Sequence, residues 1–422
     1  MNIQTETQFA AFVGFDWAEG KHVISLRCSD SRKLEQLEVI HKPEALREWV
    51  SSLQQRFAGQ KIAIALEQTR GAVVHALMTY DFLVLYPVNP KTLASYRATF
   101  RVSGAKDDPA DATLLRELVE LHREHLRAWL PDDAQTRRLT MVVEYRRTLI
   151  DDQTRLTNRL SSLLKLYYPQ ALAWAGELTS NQACDFLLRW PELQLVQAAS
   201  LKQLRNFYAE HNCRRKTLIE KRVAEIQTAQ PLTVDAAVIK ATATMMCATV
   251  RQLQVVIADI AQLESEIAEL FANHADHELF SSFPGAGPVL GPRLLTAMGA
   301  DRNRYADASE VQQFSGIAPV TERSGKSCWV HWRQACPKFV RQSFHEFARL
   351  SIQQSAWARA FYERQRQHGK AHHAAIRALA YRWIRIIYRC WQDRTVYSED
   401  AYERALARRG SPLSKMLASE QT

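Results

Sequence analysis

The sequence predicts an α/β domain with a mixed sheet, followed by a longer all-α part. Short apolar runs separated by turns fill the first hundred residues and are typical of strands with intervening helices. After Pro131, apolar residues recur every seven positions, which is the spacing of packed helices. From residue 276, glycine-rich turns alternate with helical segments that carry basic and aromatic residues. We therefore expect three domains: 1–130, 131–275 and 276–422.

The composition favours a polyanionic partner in a reducing compartment. Among 422 residues, Lys and Arg number 55 against 45 Asp and Glu, a net charge of +10. The seven cysteines form no C-x-x-C pair, which argues against a zinc site and against disulfides. No apolar run approaches membrane-spanning length, and no signal peptide is recognisable. We expect a soluble, cytoplasmic protein with no membrane partner.

The first domain can be assigned element by element. Predicted strands are Phe9 to Trp17, His22 to Arg27, Leu34 to Ile40, Lys61 to Leu66 and Leu83 to Val88. Predicted helices run from Pro43 to near Gly59, from Ala72 to Tyr80, from Pro90 onwards and from Leu114 to Leu126. The first three strands form an antiparallel meander. The order β-β-β-α-β-α-β-α is that of a ribonuclease-H-like domain.

Four carboxylates stand at the ends of these elements. Asp16 lies near the end of the first strand and Glu67 ends the fourth, and in this topology the two strands are neighbours. In A-K-D-D-P-A-D-A (105–112), Pro109 suits a first helical turn, which puts Asp108 and Asp111 on one helix face. The aspartates either cap the helix or bind a divalent cation. Four converging carboxylates can hold two metal ions at a phosphodiester.

These motifs carry a family resemblance. F-V-G-F-D-W, A-L-E-Q-T and K-D-D-P-A-D-A resemble the D, E, D and D of the RuvC-like domain in DEDD-type insertion-sequence transposases, the IS110 family. The resemblance implies that Asp16, Glu67, Asp108 and Asp111 are catalytic and bind Mg²⁺ or Mn²⁺. The family usually has Thr where this chain has Asp107, so Asp107 remains an alternative to Asp108.

The middle region predicts two long helices that need a packing partner. Apolar residues repeat every seven positions at Val142, Leu149, Leu156 and Leu163, and again at Leu253, Ile260 and Ile267. The two helices form either an antiparallel hairpin within the chain or a coiled-coil dimer interface. Arginines on the first helix belong either to a solvated face or to a nucleic-acid track: Arg137, Arg138, Arg146, Arg147, Arg155 and Arg159.

The last region carries a second group of motifs. F-P-G-A-G-P (283–288) resembles the hairpin of helix-hairpin-helix modules, in which Gly285 and Gly287 would let the backbone approach a phosphate. G-I-A-P (316–319) followed by R-S-G-K-S (323–327) is similar to the serine-bearing turn of the same transposases. The resemblance implies that Ser324 is the nucleophile, with Ser327 as the alternative.

Basic residues interleaved with aromatic ones surround this turn and the last helix. Candidate nucleic-acid contacts are Arg323, Lys326, Arg333, Lys338 and Arg341. The last helix carries Arg377, Arg382, Arg385 and Arg389 beside Trp383, Tyr388 and Trp391. The aromatic residues serve either base stacking or the hydrophobic core.

The resemblance as a whole implies a bridge-RNA-guided transposase that cleaves and exchanges DNA strands through a phosphoserine intermediate. Its implied partners are double-stranded donor and target DNA, a structured guide RNA and further copies of the chain in a dimer or tetramer. A structure-selective nuclease or Holliday-junction resolvase would share the carboxylates but need no Ser324. A third hypothesis, from a different class, is a non-catalytic nucleic-acid-binding scaffold.

Overall fold

A computed structural model describes residues 8–67, 71–100, 108–213, 215–325 and 327–420. The chain divides into two compact units, Met1–Pro131 and Asp132–Thr422. The further division of the second unit at residue 275 stays a prediction. Among the described residues, no helix is both long and apolar enough to cross a membrane.

Unit 1 has the predicted α/β order. Its strands are β1 (Ala11–Asp16), β2 (Lys21–Cys28), β3 (Leu34–Ile40), β4 (Ile62–Leu66) and β5 (Leu83–Pro87). Its helices are α1 (Pro43–Arg56), α2 (Ala72–Leu77), α3 (Pro90–Phe100) and α4 (Asp108–Leu121), followed by a 3-10 turn at Arg123–His125. Helix α4 begins at Asp108, within the cluster of acids, which is six residues before the predicted start at Leu114. The predicted ribonuclease-H-like mixed sheet is confirmed.

The five strands form one mixed sheet in the order β3-β2-β1-β4-β5. β1 pairs antiparallel with β2 and parallel with β4, and β2 pairs antiparallel with β3. Val13 and Phe15 share a hydrophobic core with α1 and α2 on one face. On the other face, Ala63 and Ala65 of β4 pack with Leu114 and Leu118 of α4. β4 is buried along its whole length, because helices cover both faces.

Unit 2 is mainly helical. Its helices are α5 (Ala134–Tyr167), α6 (Ala171–Trp174), α7 (Asn181–Arg189), α8 (Leu193–Gln197), α9 (Leu201–Glu210), α10 (Lys216–Thr228), α11 (Ala236–Ala272), α12 (His277–Ser281), α13 (Gly287–Met298), α14 (Ala308–Phe314), α15 (Lys338–Gln354), α16 (Ala356–Gln367), α17 (His372–Asp393), α18 (Glu399–Arg408) and α19 (Pro412–Glu420). Two strands, β6 (Val320–Ser324) and β7 (Ser327–His331), form an antiparallel hairpin. The sequence predicts only a turn at the place of this hairpin.

The two heptad segments pack against each other within the chain. Gln135 near the start of α5 donates to the carbonyl of Leu270 near the end of α11, whereas Leu160 shares a core with Leu253. The helices are therefore antiparallel, which is the hairpin alternative of the sequence prediction. Ile260, on the predicted heptad line, is buried in this single chain.

Several of the candidate arginines of α5 form ion pairs along this hairpin. Arg138 pairs with Glu266 at 2.8 Å and Arg146 pairs with Glu264, both across to α11. Arg147 pairs with Asp151 along the same helix, at 2.7 Å. These pairs favour the solvated-face interpretation of the arginines over a nucleic-acid track.

Candidate active site

Asp16 and Glu67 end two neighbouring parallel strands. Phe15 of β1 is registered with Leu66 of β4, and each acid is the next residue of its chain. Neighbouring strands lie about 4.8 Å apart, so the two acids occupy adjacent positions at one edge of the sheet. Side chains alternate along a strand, which places Glu67 on the face of Ala63 and Ala65. That face is the one covered by α4.

Helix α4 lies directly on β1 because Gly14 has no side chain. A Cβ atom added at Gly14 would overlap the carbonyl oxygen of Ala112 and lie 2.5 Å from the amide nitrogen of Arg116. Gly14 is two residues before Asp16 and shares its face of the sheet. The close approach of helix backbone to strand backbone therefore occurs beside the first carboxylate.

The direction of α4 brings its first residue towards the acids. Glu120, near the end of α4, forms an ion pair with Arg27, which is registered with Phe12 early in β1. The start of α4 packs at the level of Gly14, later in the same strand. α4 is thus antiparallel to β1, and Asp108 begins it towards the end where β1 finishes. A buried ion cluster fixes this arrangement, since Arg116, 3 % exposed, pairs with Glu120.

Asp111 is buried and engaged by an arginine. Arg97 of α3 donates to Asp111 Oδ1 from Nε at 2.9 Å and from Nη2 at 2.6 Å. The guanidinium compensates a carboxylate that is 3 % exposed. Asp107 lies outside the described residues, and of Asp108 only the backbone is described. Among the described side chains, no three His, Cys, Asp or Glu groups lie close enough together to hold a metal ion.

The donor set nevertheless suits a hard divalent cation. Carboxylate oxygens are the preferred ligands of Mg²⁺, and two of the candidate ligands lie at adjacent strand ends. Burial lowers the pKa of the neighbouring Arg116 guanidinium, because burial disfavours its charged form. The site is thus a partly buried, charge-rich edge of the sheet, in which acids and arginines balance one another.

Ser324 lies at the tip of the β6–β7 hairpin. It is registered with Ser327, so the two candidate nucleophiles face each other across the final pair of the ladder. Gly325 in the turn between them has φ +58°, a left-handed conformation that glycine adopts without strain. The strand residues on both sides are exposed. Arg323 immediately precedes Ser324, whereas Lys326 lies outside the described residues.

The base of the hairpin is anchored in the helical unit. Gly316 has φ +69°, and a Cβ there would overlap the sulfur of Cys336. Arg333 donates to the carbonyl of Ala318 at 3.3 Å, and Arg341 donates to the carbonyl of Arg333 at 3.1 Å. The residues that precede and follow the hairpin are therefore held together. The serine is presented at the end of a short projecting ladder.

Cationic side chains surround an exposed tryptophan at this base. The guanidinium of Arg377 lies 4.1 Å from the ring centroid of Trp332, and that of Arg341 lies 4.9 Å from it. The pKa of Arg377 is lowered, first by burial and then by the neighbouring Arg341. Lys338, six residues after Trp332 in the sequence, begins α15 and is exposed. The structure thus brings Arg341 and Arg377 together around Trp332, and Arg341 also holds the backbone of Arg333.

The remaining candidates have different surroundings. Gly285, with φ +81°, packs against the backbone of Leu350, and Gly287, with φ +52°, begins α13 with open space around it. Trp383 and Trp391 of α17 are fully buried. For these two tryptophans the core alternative is correct, because their rings face the helical core and are closed to bases.

Two contributors to the carboxylate site were missed in the sequence. Gly14 was identifiable, because a glycine inside a strand often marks a close backbone approach. Arg97 gave no signal, since its partner Asp111 is known only once α3 and α4 pack together.

Two family models match the chain, and together they cover more than half of it. The first, for DEDD transposases of IS110, is described as "Transposase" and matches residues 13–169. The second, "Transposase IS116/IS110/IS902 family", matches residues 277–363. The first match includes Asp16, Glu67, Asp108 and Asp111, and the second includes Ser324.

Individual relatives are similar over nearly the whole chain. A "Mini-circle putative transposase for IS117" of Streptomyces coelicolor is 29% identical over 93% of this chain and 97% of its own length. An "Insertion element IS900 uncharacterized 42 kDa protein" of Mycobacterium paratuberculosis is 24% identical over 92% of this chain and 96% of its own. An "Insertion element IS110 uncharacterized 43.6 kDa protein" of Streptomyces coelicolor is 25% identical over 69% of this chain and 72% of its own.

Proposed function

We propose that this chain, which belongs to the IS110 family of DEDD transposases, cleaves and exchanges DNA strands through a covalent link to Ser324. The observation that carries the proposal is the position of Ser324. Its strand is exposed, Arg323 precedes it, and the hairpin base is anchored to the helical unit. A nucleophile that attacks a phosphate inside a large DNA substrate has to be reachable in this way.

The proposed reaction is a transesterification. The oxygen of Ser324 forms a bond to phosphorus, and the bond from phosphorus to one deoxyribose oxygen breaks. The serine proton ends on that departing sugar hydroxyl. In the second step, a sugar hydroxyl of the exchanged strand attacks the phosphoserine, and Ser324 recovers its proton. The phosphodiester linkage is conserved, so rejoining needs no external energy source.

Asp16, Glu67, Asp108 and Asp111 are the proposed ligands of divalent metal, with Mg²⁺ as the proposed ion and Mn²⁺ as its substitute. When bound, such ions stabilise charge that develops on the attacking and departing oxygens. The chain's own contribution is to hold the acids in place. Adjacent strand ends fix two of them, and the packing of α4 on Gly14 fixes the start of the helix that carries the others. Arg97 holds Asp111 in position.

We extend the proposal to the partners. A structured guide RNA would select the double-stranded donor and target DNA, and two or four copies of the chain would bring the two DNAs together. The net charge of +10 is suited to a complex with this much phosphate. Support for oligomers from the heptads is weak, because Ile260 and Leu253 are buried within one chain.

The test begins with the RNA that co-purifies with the protein. Its sequence defines matching donor and target DNA, and strand exchange between them is measured with Mg²⁺ and after chelation with EDTA. We expect Asp16→Asn to lower the exchange rate more than about 100-fold, since even outer partners of metal ligands cost 10- to 100-fold. Asp30→Asn, at an exposed aspartate after β2, is the matched control and keeps the rate. Equal rates for both variants would rule out the carboxylate site.

A further inference from the structure

Two adjoining cavities form a continuous groove along α17 in unit 2. The smaller, of about 500 Å³, lies against the base of the β6–β7 hairpin. The larger, of about 860 Å³, extends towards α18. Phe361, Ala378 and Tyr381 line both cavities. We call the two together the α17 groove.

The α17 groove is basic throughout. Four Arg, Lys or His side chains line the smaller cavity and five arginines line the larger one. No acidic side chain is among the described residues that line either cavity. Of the arginines that line it, Arg389 pairs with Asp393 of the same helix at 3.4 Å, and Asp393 itself lines neither cavity. A concave surface with one sign of charge attracts a chain of the opposite sign.

Aromatic rings are accessible inside this basic groove. Tyr381 is 40% exposed at the junction of the two cavities, and it follows Arg377 by about one helical turn. Phe361 is partly buried and has the guanidinium of Arg382 5.3 Å from its ring centroid. An exposed ring beside cations is the combination that holds unpaired nucleotides, because every base has a face that can stack.

The groove leads to the proposed nucleophile. Val330 and His331, the last two residues of β7, line the smaller cavity. Ser327, opposite Ser324, begins the same strand, so the serine pair lies about 13 Å along the ladder at roughly 3.3 Å per residue. A DNA strand lying in the groove would therefore have its next few nucleotides beside the hairpin tip.

We propose that the α17 groove binds an unpaired stretch of the DNA strand next to the phosphate that Ser324 attacks. A base stacks on Tyr381, and phosphates contact Arg385 and Arg389. An unpaired strand fits better than a duplex, because a base can reach the Tyr381 ring only when it has left its own stack. This inference rests on the proposed function for its substrate, but it concerns binding alone.

The test measures binding in Ser324→Ala protein, which removes any covalent capture. A fluorescently labelled oligothymidine of about 12 nucleotides is titrated with protein, beside a duplex and an RNA of equal length. We expect Tyr381→Ala to weaken oligothymidine binding roughly 5- to 150-fold, the cost of one base–aromatic stack. Tyr381→Phe keeps the ring and should retain the affinity. Tyr145→Ala, at an exposed tyrosine of α5, is the matched control.

Arginine variants test the phosphate contacts. Arg385→Ala should weaken binding and reduce the salt dependence by about 0.7 per lost phosphate contact, as for single strands. Arg251→Ala, at an exposed arginine of α11, should change neither. A larger loss of duplex or RNA binding than of oligothymidine binding in Tyr381→Ala would overturn the assignment to unpaired DNA. Equal losses of oligothymidine affinity in Tyr381→Ala and Tyr145→Ala would rule out the α17 groove as the binding site.

These experiments distinguish a failure of the groove proposal from a failure of the proposed function. If oligothymidine binds through Tyr381 but the unmodified protein forms no adduct with DNA, the groove stands and the proposed function is wrong. If an adduct forms but Tyr381→Ala and Arg385→Ala bind normally, the proposed function stands and the groove is wrong.

Discussion

The carboxylate edge of unit 1 and the serine hairpin of unit 2 hold their functional groups in opposite ways. Asp111 is 3 % exposed, paired with Arg97, and carried by a helix whose backbone touches a strand at Gly14. Ser324 lies on a strand exposed along most of its length, at the tip of a two-stranded ladder. In unit 1 the contacts that position the carboxylates also belong to the hydrophobic core. In unit 2 the exposed hairpin tip that carries Ser324 lies outside the hydrophobic core.

The chemistry explains this difference. Metal ligands need fixed positions, because a cation is bound tightly only where several oxygens are already in place. A nucleophile that attacks a long polymer needs access instead, and the polymer supplies part of the ordering when it binds. Changes at the carboxylate edge should therefore affect stability and activity together, whereas changes at the hairpin tip should affect activity alone.

The largest expected effect is at Gly14. Gly14→Ala places a methyl group against the backbone of Ala112, which can move only if α4 leaves β1. We expect the free energy of unfolding of unit 1 to fall by about 3 kcal/mol, the upper end of the usual overpacking cost. Urea denaturation followed by circular dichroism measures this, and strand exchange should be lost in parallel. Gly20→Ala, with open space around the added Cβ, is the control and should leave both unchanged.

A smaller effect, confined to activity, is expected at Gly325. Alanine in its left-handed conformation costs about 1–2 kcal/mol. Because the hairpin tip is exposed, we expect the urea midpoint to stay the same while the yield of protein–DNA adduct falls roughly 5- to 30-fold. Gly410→Ala is the matched control, since Gly410 has φ +60° and open space around it in another turn of unit 2. A lower urea midpoint in Gly325→Ala than in Gly410→Ala would show that the hairpin tip contributes to the stability of unit 2.

The comparison also shows which parts of the molecule the sequence could predict. Alternating and continuous apolar runs identified all five strands of the sheet, and the topology then placed Asp16 beside Glu67. These features depend on local periodicity and on short connections. The heptads of α5 and α11 were also visible, but periodicity does not say whether the partner helix belongs to the same chain.

Other features depend on contacts between distant segments. The pairing of Arg97 with Asp111 arises only when α3 meets α4. The hairpin ladder was missed because its strands are short and exposed, so no alternation of buried apolar and exposed polar residues marks them. The α17 groove is assembled from residues between Gly316 and Arg409, and no single stretch of sequence carries its shape.

The proposed covalent link is tested most directly by finding the protein atom that holds the DNA. Trypsin cleaves after Arg323 and Lys326, so Ser324 and Ser327 fall on separate peptides. The unmodified protein is incubated with matching DNA and Mg²⁺, digested with nuclease and trypsin, and examined by mass spectrometry. We expect a nucleotide remnant on the peptide of Ser324, absent in Ser324→Ala and retained in Ser327→Ala. DNA cleavage with no remnant on any peptide, or a remnant on the peptide of Ser327, would show that Ser324 is not the nucleophile.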